Sequence, residues 1–170
     1  GLVDRVFDEF RPHMVNHQAG HVSVVESLQA PVADATTNVL GSLVVLDACK
    51  RYEIEHMIFA STGGALYGSP GIEPIQETSL VAPMSPYGAS KRAVEGYLEM
   101  YRETWGLSSA ALRYANVYGP RQSYDGEAGV VAIFARIMLD NGTPVIFGSG
   151  HQTRDFIEVA DVAEANLAVM

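Results

Sequence analysis

The sequence contains one cysteine, Cys49, in 170 residues. That excludes a disulfide framework and a thiolate metal cluster, both of which need several cysteines at set spacings. Positive charge is scarce too: 11 Lys and Arg stand against 20 Asp and Glu, a net charge of −9. A nucleic-acid surface needs a basic face, so that class of partner is excluded. A small phosphorylated ligand is not, because helix N-termini and single arginines hold phosphate even on acidic proteins. Long hydrophobic runs are also missing. The longest, "VVAIFARIML", is broken by Arg136 and is too short to cross a bilayer. No secretory leader is legible, so the expectation is a cytoplasmic protein without a membrane partner. His13, His21, His56 and His151 have no spacing that suggests a metal site and no orienting acid that suggests a general base. No metal is expected, and these four read as surface or capping residues.

What is present is an ordinary globular composition, 48% hydrophobic and 18% charged, long enough for one domain with a sizeable core. Apolar runs alternate with helix-period stretches. "DRVFDEF" reads as a short helix and "HMVNHQA" as a strand. "VADATTNVLGSLVVLDACKRY" reads as a long helix with Val39, Leu40, Leu43, Val44 and Leu46 on its apolar side. "HMIFAS" reads as a strand running into "STGG", followed by a Pro/Gly-marked loop over 68–86. The next helix starts at "SPYG", with Ser85 at the N-cap and Pro86 at the first helical position, and Gly106 ends it. "SSAALRYANVYG" reads as a strand, "VVAIFARIMLDNG" as a helix, "TPVIFG" and "RDFIEV" as short strands, and "EVADVAEANLAVM" as a final helix. The alternation predicts an α/β fold, a doubly wound and mostly parallel sheet with helices on both faces. Ligands of such sheets sit at the carboxyl ends of the strands. Here those ends are "NHQAG", "ASTGG" and "RYANVYG".

Tyr87 and Lys91, four residues apart, share one face of the helix that starts at Ser85. A free tyrosine titrates at about 10 and is a poor base at neutral pH. A neighbouring ammonium favours the phenolate, so this pair is expected to form a tuned general base. By itself the spacing also fits a packed tyrosine beside a solvated lysine.

The flanking segments add specificity. Read with them, the chain resembles the extended short-chain dehydrogenase/reductase superfamily, and within it the NAD-dependent nucleotide-sugar epimerases and dehydratases. The resemblance covers nearly all 170 residues. It is carried by "NHQAG", "NVLGSLVVLDAC", "FASTGGALYG", "SPYGASK", "LRYANVYGPR" and "GSGHQTRDFIEVADVA". It implies a Rossmann-like fold with NAD as cofactor, and a partial cofactor-binding domain over 1–170 in which the substrate-binding part starts near 120. Tyr87 is then the catalytic base. Lys91 lowers the Tyr87 pKa and holds the nicotinamide ribose, and Thr62 orients the substrate. The family more often has one residue fewer between that hydroxyl and the next tyrosine, Tyr67 here, so Ser61 stands as an alternative that also lines the cofactor. His17, Gln18, Ala19 and Tyr114 fall at cofactor-contacting positions. Asn116 and Arg154 fall where the family holds the diphosphate, and Gly129, Val130, Ile146 and Phe147 where it lines the base and ribose pocket. For Val130, Ile146 and Phe147 core packing is the competing reading, and for Arg154 a salt bridge to Asp155 or Glu158. Asn38 and Asp161 read as structural, the latter as a cap before the last helix.

The family's opening strand, GxxGxxG turn and helix do not occur in these residues. With a last helix that stops partway, this predicts a piece of a longer chain, without the first βαβ unit and the C-terminal substrate lobe, that binds NAD weakly by itself. The residues after the catalytic hydroxyl, Gly63, Gly64 and Ala65, include no carboxylate, whereas dehydratases place an acid and base there. The resemblance therefore points to C4 epimerisation of a UDP-hexose through a 4-keto intermediate, with dehydratase, decarboxylase and a non-catalytic binding protein as alternatives. It also implies a homodimer formed through helices 33–50 and 86–105.

Overall fold

The computed structural model describes residues 1–69, 74–124 and 129–170. Two compact units divide the chain, one formed by residues 1–113 with 169–170 and the other by residues 114–168. Part of the predicted loop 68–86, residues 70–73, lies outside the described residues.

The first unit begins with α1 (Leu2–Phe10) and β1 (Met14–His17), and then returns through short helices α2 (Val24–Gln29) and α3 (Pro31–Ala35). A π-helical turn (Thr36–Leu40) leads into α4 (Gly41–Arg51) and β2 (His56–Thr62). The one-turn helix α5 (Gly63–Leu66), the long α6 (Pro86–Trp105) and β3 (Ser108–Tyr114) complete it. The sheet order is β1-β2-β3, and β1 and β2 run parallel with His17 opposite Phe59. Parallel neighbours need a crossover, which the helices between β1 and β2 supply. β2 is buried along almost its whole length, as a strand covered on both faces should be. Its Met57 and Phe59 pack with Phe7, Leu46, Cys49, Val94, Leu98 and Tyr101 in one core. Burial pushes the Cys49 thiol up to about 12, so it is an inert core group.

α6 forms where its local chemistry dictates. The Ser85 hydroxyl accepts from the Gly88 amide at 3.1 Å, Pro86 occupies the first helical position, and Gly106 ends the helix at φ 72°. Gly88 lets α6 lie directly on α5, where a Cβ would meet the Ala65 carbonyl oxygen at 2.4 Å. The long helix predicted over 32–52 is present as α3, π turn and α4, but its predicted apolar side is corrected: Leu40 and Val44 face outward. The inward face consists of Asp34, Asn38, Ser42 and Leu46, because its polar members bond α6 and the chain after β1. The stretch Pro31–Arg51, with a mean hydropathy of 1.3, is long and apolar enough to cross a membrane by length and composition. Its buried polar groups, bonded to neighbouring elements, make it the interior helix of this α/β unit.

The second unit contains β4 (Asn116–Tyr118), α7 (Val130–Leu139), β5 (Phe156–Glu158) and α8 (Val159–Ala168), with β4 and β5 paired in parallel. Two strand expectations are corrected here. The run 108–119 is not one strand but two, interrupted at Ala115 and belonging to different sheets. "TPVIFG" is irregular chain with Ile146 and Phe147 exposed, because its β-branched residues find no strand partner among the described residues. The cap of α8 is also corrected. Glu158 accepts from the Ala160 amide at 2.6 Å, while Asp161 lies inside the first turn.

Candidate active site

Tyr87 occupies the second helical position of α6, where the backbone amide has no partner within the helix. Ser27 of α2 supplies one, its hydroxyl accepting from the Tyr87 amide at 3.2 Å while donating to the Val24 carbonyl at 2.7 Å. One turn on, Lys91 is buried, and its Nζ donates to the Ala60 carbonyl of β2 at 2.8 Å. The same ammonium lies 4.8 Å from the Phe59 ring centroid and 5.8 Å from that of Tyr87.

β2 alternates its side chains, so the two neighbouring hydroxyls at its end have different partners. Thr62 caps α5, accepting from the Ala65 amide at 3.3 Å, and its hydroxyl acts on the Tyr87 phenol. Ser61 instead donates to Glu95 Oε1 at 2.6 Å. Glu95, one turn beyond Lys91, receives Arg113 in a two-pronged pair, with Nε at 3.0 Å and Nη2 at 2.7 Å. Arg113 Nη1 donates to the Tyr67 hydroxyl at 2.6 Å. Burial alone would push the Glu95 carboxyl up, but the Arg113 and Ser61 donors outweigh it and hold the group below its ordinary value. Ser61 is therefore committed to a buried ion pair that joins β2, α6 and β3.

The expected tuning of the phenol is corrected by the geometry. Burial pushes Tyr87 above its ordinary value, and the buried Asp34 carboxylate adds to that. The Thr62 hydroxyl is the neighbour that favours the phenolate. Lys91 is directed at the Ala60 carbonyl instead, and is itself pushed down by burial against an opposing pull from Asp34.

At the end of β1, the His17 ring Nε2 lies 3.0 Å from Ser42 Oγ. Ser42 gives its one proton to the Asn38 carbonyl at 2.6 Å, so its oxygen accepts from His17 and the ring carries its proton on Nε2. Burial, then the Lys91 charge, pushes His17 below its ordinary value. Gln18 and Ala19 are exposed beside it. Asn38 grips the next stretch, accepting from the His21 amide at 2.7 Å and donating to its carbonyl at 3.0 Å. Gly20 lies between these groups. A Cβ there would stand 3.0 Å from Asn38 Oδ1 and 3.5 Å from Lys91 Nζ, so the space beside the ammonium is kept clear by the glycine.

Within the second unit, Asn116 donates through both its amide and its side chain to the Asp155 carbonyl, at 3.0 and 2.9 Å, which brings it beside the Arg154 segment. Arg154 is exposed, donates to the Thr153 carbonyl at 2.7 Å, and makes no ion pair among the described residues, so the salt-bridge reading is not realised. Val130, Ile146 and Phe147 are exposed, Phe147 at 82%, which overturns the core-packing reading. Gly129 precedes α7, and a Cβ there would meet Gln122 Nε2 at 2.7 Å. Tyr114 exchanges hydrogen bonds with Asn166 of α8, at 2.8 and 3.1 Å. The structure thus gathers His17, Thr62, Tyr87 and Lys91 in the first unit, and Asn116 and the Arg154 segment in the second.

Sequence reasoning missed Ser27, Asp34 and the Glu95–Arg113 pair. Glu95 had a legible signal, since Tyr87, Lys91 and Glu95 repeat at intervals of four along one helix face.

The chain is 48% identical over 157 residues to a putative UDP-glucose 4-epimerase of Methanocaldococcus jannaschii, covering 92% of this chain and 52% of that protein. It superposes on the UDP-glucose 4-epimerase of Thermotoga maritima, solved with UDP-glucose, with a TM-score of 0.97 and 47% identity, covering 99% of this chain and 55% of the other. The Thermus thermophilus UDP-glucose 4-epimerase, solved with NAD, matches with a TM-score of 0.90 and 48% identity, at 98% and 55% coverage. The chain thus spans about half the length of the curated relatives it matches. The family model for the NAD dependent epimerase/dehydratase family matches residues 1–170, and the chain belongs to that family.

Proposed function

We propose that the protein to which this chain belongs interconverts UDP-hexoses at C4, with NAD as cofactor and Tyr87 as the base. The observation that carries the reading is the Thr62 hydroxyl acting on the Tyr87 phenol in favour of its phenolate, beside a buried Lys91 and with no carboxylate at positions 63–65. Elimination of water needs an extra acid and base there, which disfavours the dehydratase reading, and the decarboxylase reading lacks the carboxylate that its resemblance implies at the same place. A non-catalytic binding protein would have no need of this buried polar group.

The residues fit the cofactor. Lys91 has three N–H groups, and one donates to Ala60. Gly20 leaves the space beside Nζ free of a Cβ, and a ribose hydroxyl there would accept from one of the other two. His17, Gln18, Ala19 and Tyr114 complete the cofactor side in this assignment. NAD, when bound, supplies the hydride acceptor and donor for C4. Tyr87 takes the proton of the 4-hydroxyl and returns it after the keto sugar has turned over. Thr62, not Ser61, is the hydroxyl that orients the sugar and supports the phenolate, since Ser61 is engaged by Glu95. Asn116 and Arg154 hold the diphosphate, where a guanidinium suits phosphate geometry. Gly129, Val130, Ile146 and Phe147 line the base and ribose pocket, a role their exposure leaves open to them.

The partner in solution is a second copy, through helices 33–50 and 86–105. Outward apolar residues support this: Leu40 and Val44 on the first, Tyr97, Met100 and Trp105 on the second. The single buried cysteine is consistent with a cytoplasmic setting. The test is turnover of UDP-galactose to UDP-glucose by the full-length protein with NAD and no net redox change. Absence of turnover on UDP-hexoses, or appearance of a dehydrated product, would refute the reading.

A further inference from the structure

We propose that Asp34 is a positioning residue for the Tyr87–Lys91 pair, a buried carboxylate that supplies the fixed counter-charge for the Lys91 ammonium while tying α6 to the helix that carries Asn38. The inference rests on the roles of Tyr87 and Lys91 proposed above.

Asp34, in α3, has no exposed surface. Its Oδ2 accepts from Ser90 Oγ at 2.6 Å, and its Oδ1 from Asn38 Nδ2 at 3.0 Å. Ser90 directly precedes Lys91, and Asn38 holds the amide and carbonyl of His21. One carboxylate therefore links the first turns of α6, the π turn and the chain that follows β1. A buried carboxylate with only neutral donors is costly unless a nearby positive charge compensates it.

The charged and titratable groups in this region are few. From α6 come Tyr87 and Lys91, on both of which the Asp34 charge acts. From β1 comes His17, which interacts with Lys91. Glu26 of α2 is exposed and pairs with His21 at 2.9 Å. Glu95, on Lys91's own helix, is taken up by Arg113. Lys91 Nζ and Asn38 Oδ1 flank the same Gly20 space, 3.5 and 3.0 Å from a Cβ placed there, and Asn38 Nδ2 is 3.0 Å from Asp34 Oδ1. Without ion-pair contact, Asp34 thus opposes the loss of charge that burial imposes on Lys91. The benefit to the site is chemical: an ammonium offers three N–H donors, whereas a neutral amine offers two. The cost falls on Tyr87, whose phenolate the same carboxylate disfavours.

The experiment is an NMR titration of the Lys91 side chain in the full-length protein labelled at lysine, with the signal assigned by its loss in Lys91→Met. In this chain only Lys50, exposed and stacked on Trp105, shares the label. In Asp34→Asn the Lys91 midpoint should fall, by up to about one unit, because the opposite charge that holds it up is gone. Ser90→Ala removes a hydrogen bond but keeps the charge, and should leave the midpoint where it is. Should Asp34→Asn fail to fold, Asp34→Ser removes the charge without setting an amide against Asn38, and the same fall is expected. An unmoved midpoint in the folded charge-free variant, or an equal fall in Ser90→Ala, overturns the proposal. Turnover by the wild-type protein separately judges the epimerase reading, since the titration needs no activity.

Discussion

Gly88→Ala sets two effects of known size against each other. An exposed helical glycine replaced by alanine gains about 1 kcal/mol of helix propensity. At Gly88, however, the new Cβ would stand 2.4 Å from the Ala65 carbonyl oxygen, 3.0 Å from Pro83 Cβ and 3.2 Å from the Ala65 carbonyl carbon. Two of these three neighbours are backbone atoms of α5, which no rotamer change moves aside. Ordinary contact begins near 3.4 Å, so α6 must retreat from α5 by about 1 Å. Overpacking of this kind costs about 1–3 kcal/mol, which cancels or exceeds the propensity gain. The net loss of stability is then small, ~0–2 kcal/mol. The effect on rate is larger, because Thr62 caps α5 and Tyr87 precedes Gly88, so the retreat draws the phenol away from the hydroxyl that favours its phenolate. A misplacement of about 1 Å in an active site costs about 10²-fold. The assay pairs thermal unfolding of the full-length protein with kcat and KM on a UDP-hexose. Expected is a melting temperature within a few degrees of wild type with kcat lowered about a hundredfold. A variant that melts higher and keeps its kcat within a few-fold would refute the close-approach argument.

Tyr87→Phe should lower kcat by about 10²–10⁴-fold, with substrate affinity by calorimetry nearly unchanged, since only proton transfer is lost. Thr62→Val removes the interaction that favours the Tyr87 phenolate, so its pH–rate profile should shift to higher pH; a profile that keeps its position would remove Thr62 from that role. Ser61→Ala should do the reverse, lowering stability by about 1–3 kcal/mol through the lost hydrogen bond to the Glu95 carboxylate, which Arg113 still holds, while folded enzyme keeps its profile. Glu95→Gln breaks a buried pair and should cost about 3–5 kcal/mol at neutral pH by chemical denaturation. Because the folded carboxyl is held below its ordinary value, the part of that contribution due to its ionisation is present above about pH 4.3 and lost on further acidification, so the gap between wild type and variant should narrow there. Arg154→Ala should weaken UDP-sugar binding about tenfold to a hundredfold by calorimetry, as loss of a charge-assisted hydrogen bond does.

The sequence was most legible where structure depends on neighbours in the chain. Ser85, Pro86 and Gly106 mark both ends of α6 because capping is a matter of residues three or four apart. The strands β1 and β2 were found from their β-rich runs. α2 was missed because six residues with Val24 and Val25 at the start resemble a strand as much as a helix. The buried face of the Pro31–Arg51 stretch was misread because hydropathy seeks apolar stripes, and this helix turns polar residues inward where they hold the site together. Of the site itself, Tyr87, Lys91 and Thr62 were visible through one motif and one spacing. Asp34 was not, because its partner Ser90 is 56 residues away and nothing local marks a buried carboxylate.

The π turn has a consequence for how this helix tolerates change in length. In a straight α-helix, residues four apart drift about 40° per step, so Asp34 and Leu46 would point about 120° apart. All of Asp34, Asn38, Ser42 and Leu46 are nonetheless buried. The wide turn, in which the Gly41 amide reaches back to the Thr36 carbonyl, takes up that drift. Structurally it behaves as one surplus residue stored in the backbone. Removing a residue at 36 or 37 would close the turn to ordinary α geometry and leave the two halves facing as they do, because eleven α-helical steps come within about 20° of three full turns. Asp34 on one side and Leu46 and Cys49 on the other would then stay in the interior. A one-residue deletion here should therefore do less damage than one in the middle of α4, which would swing its flanks by about 100°.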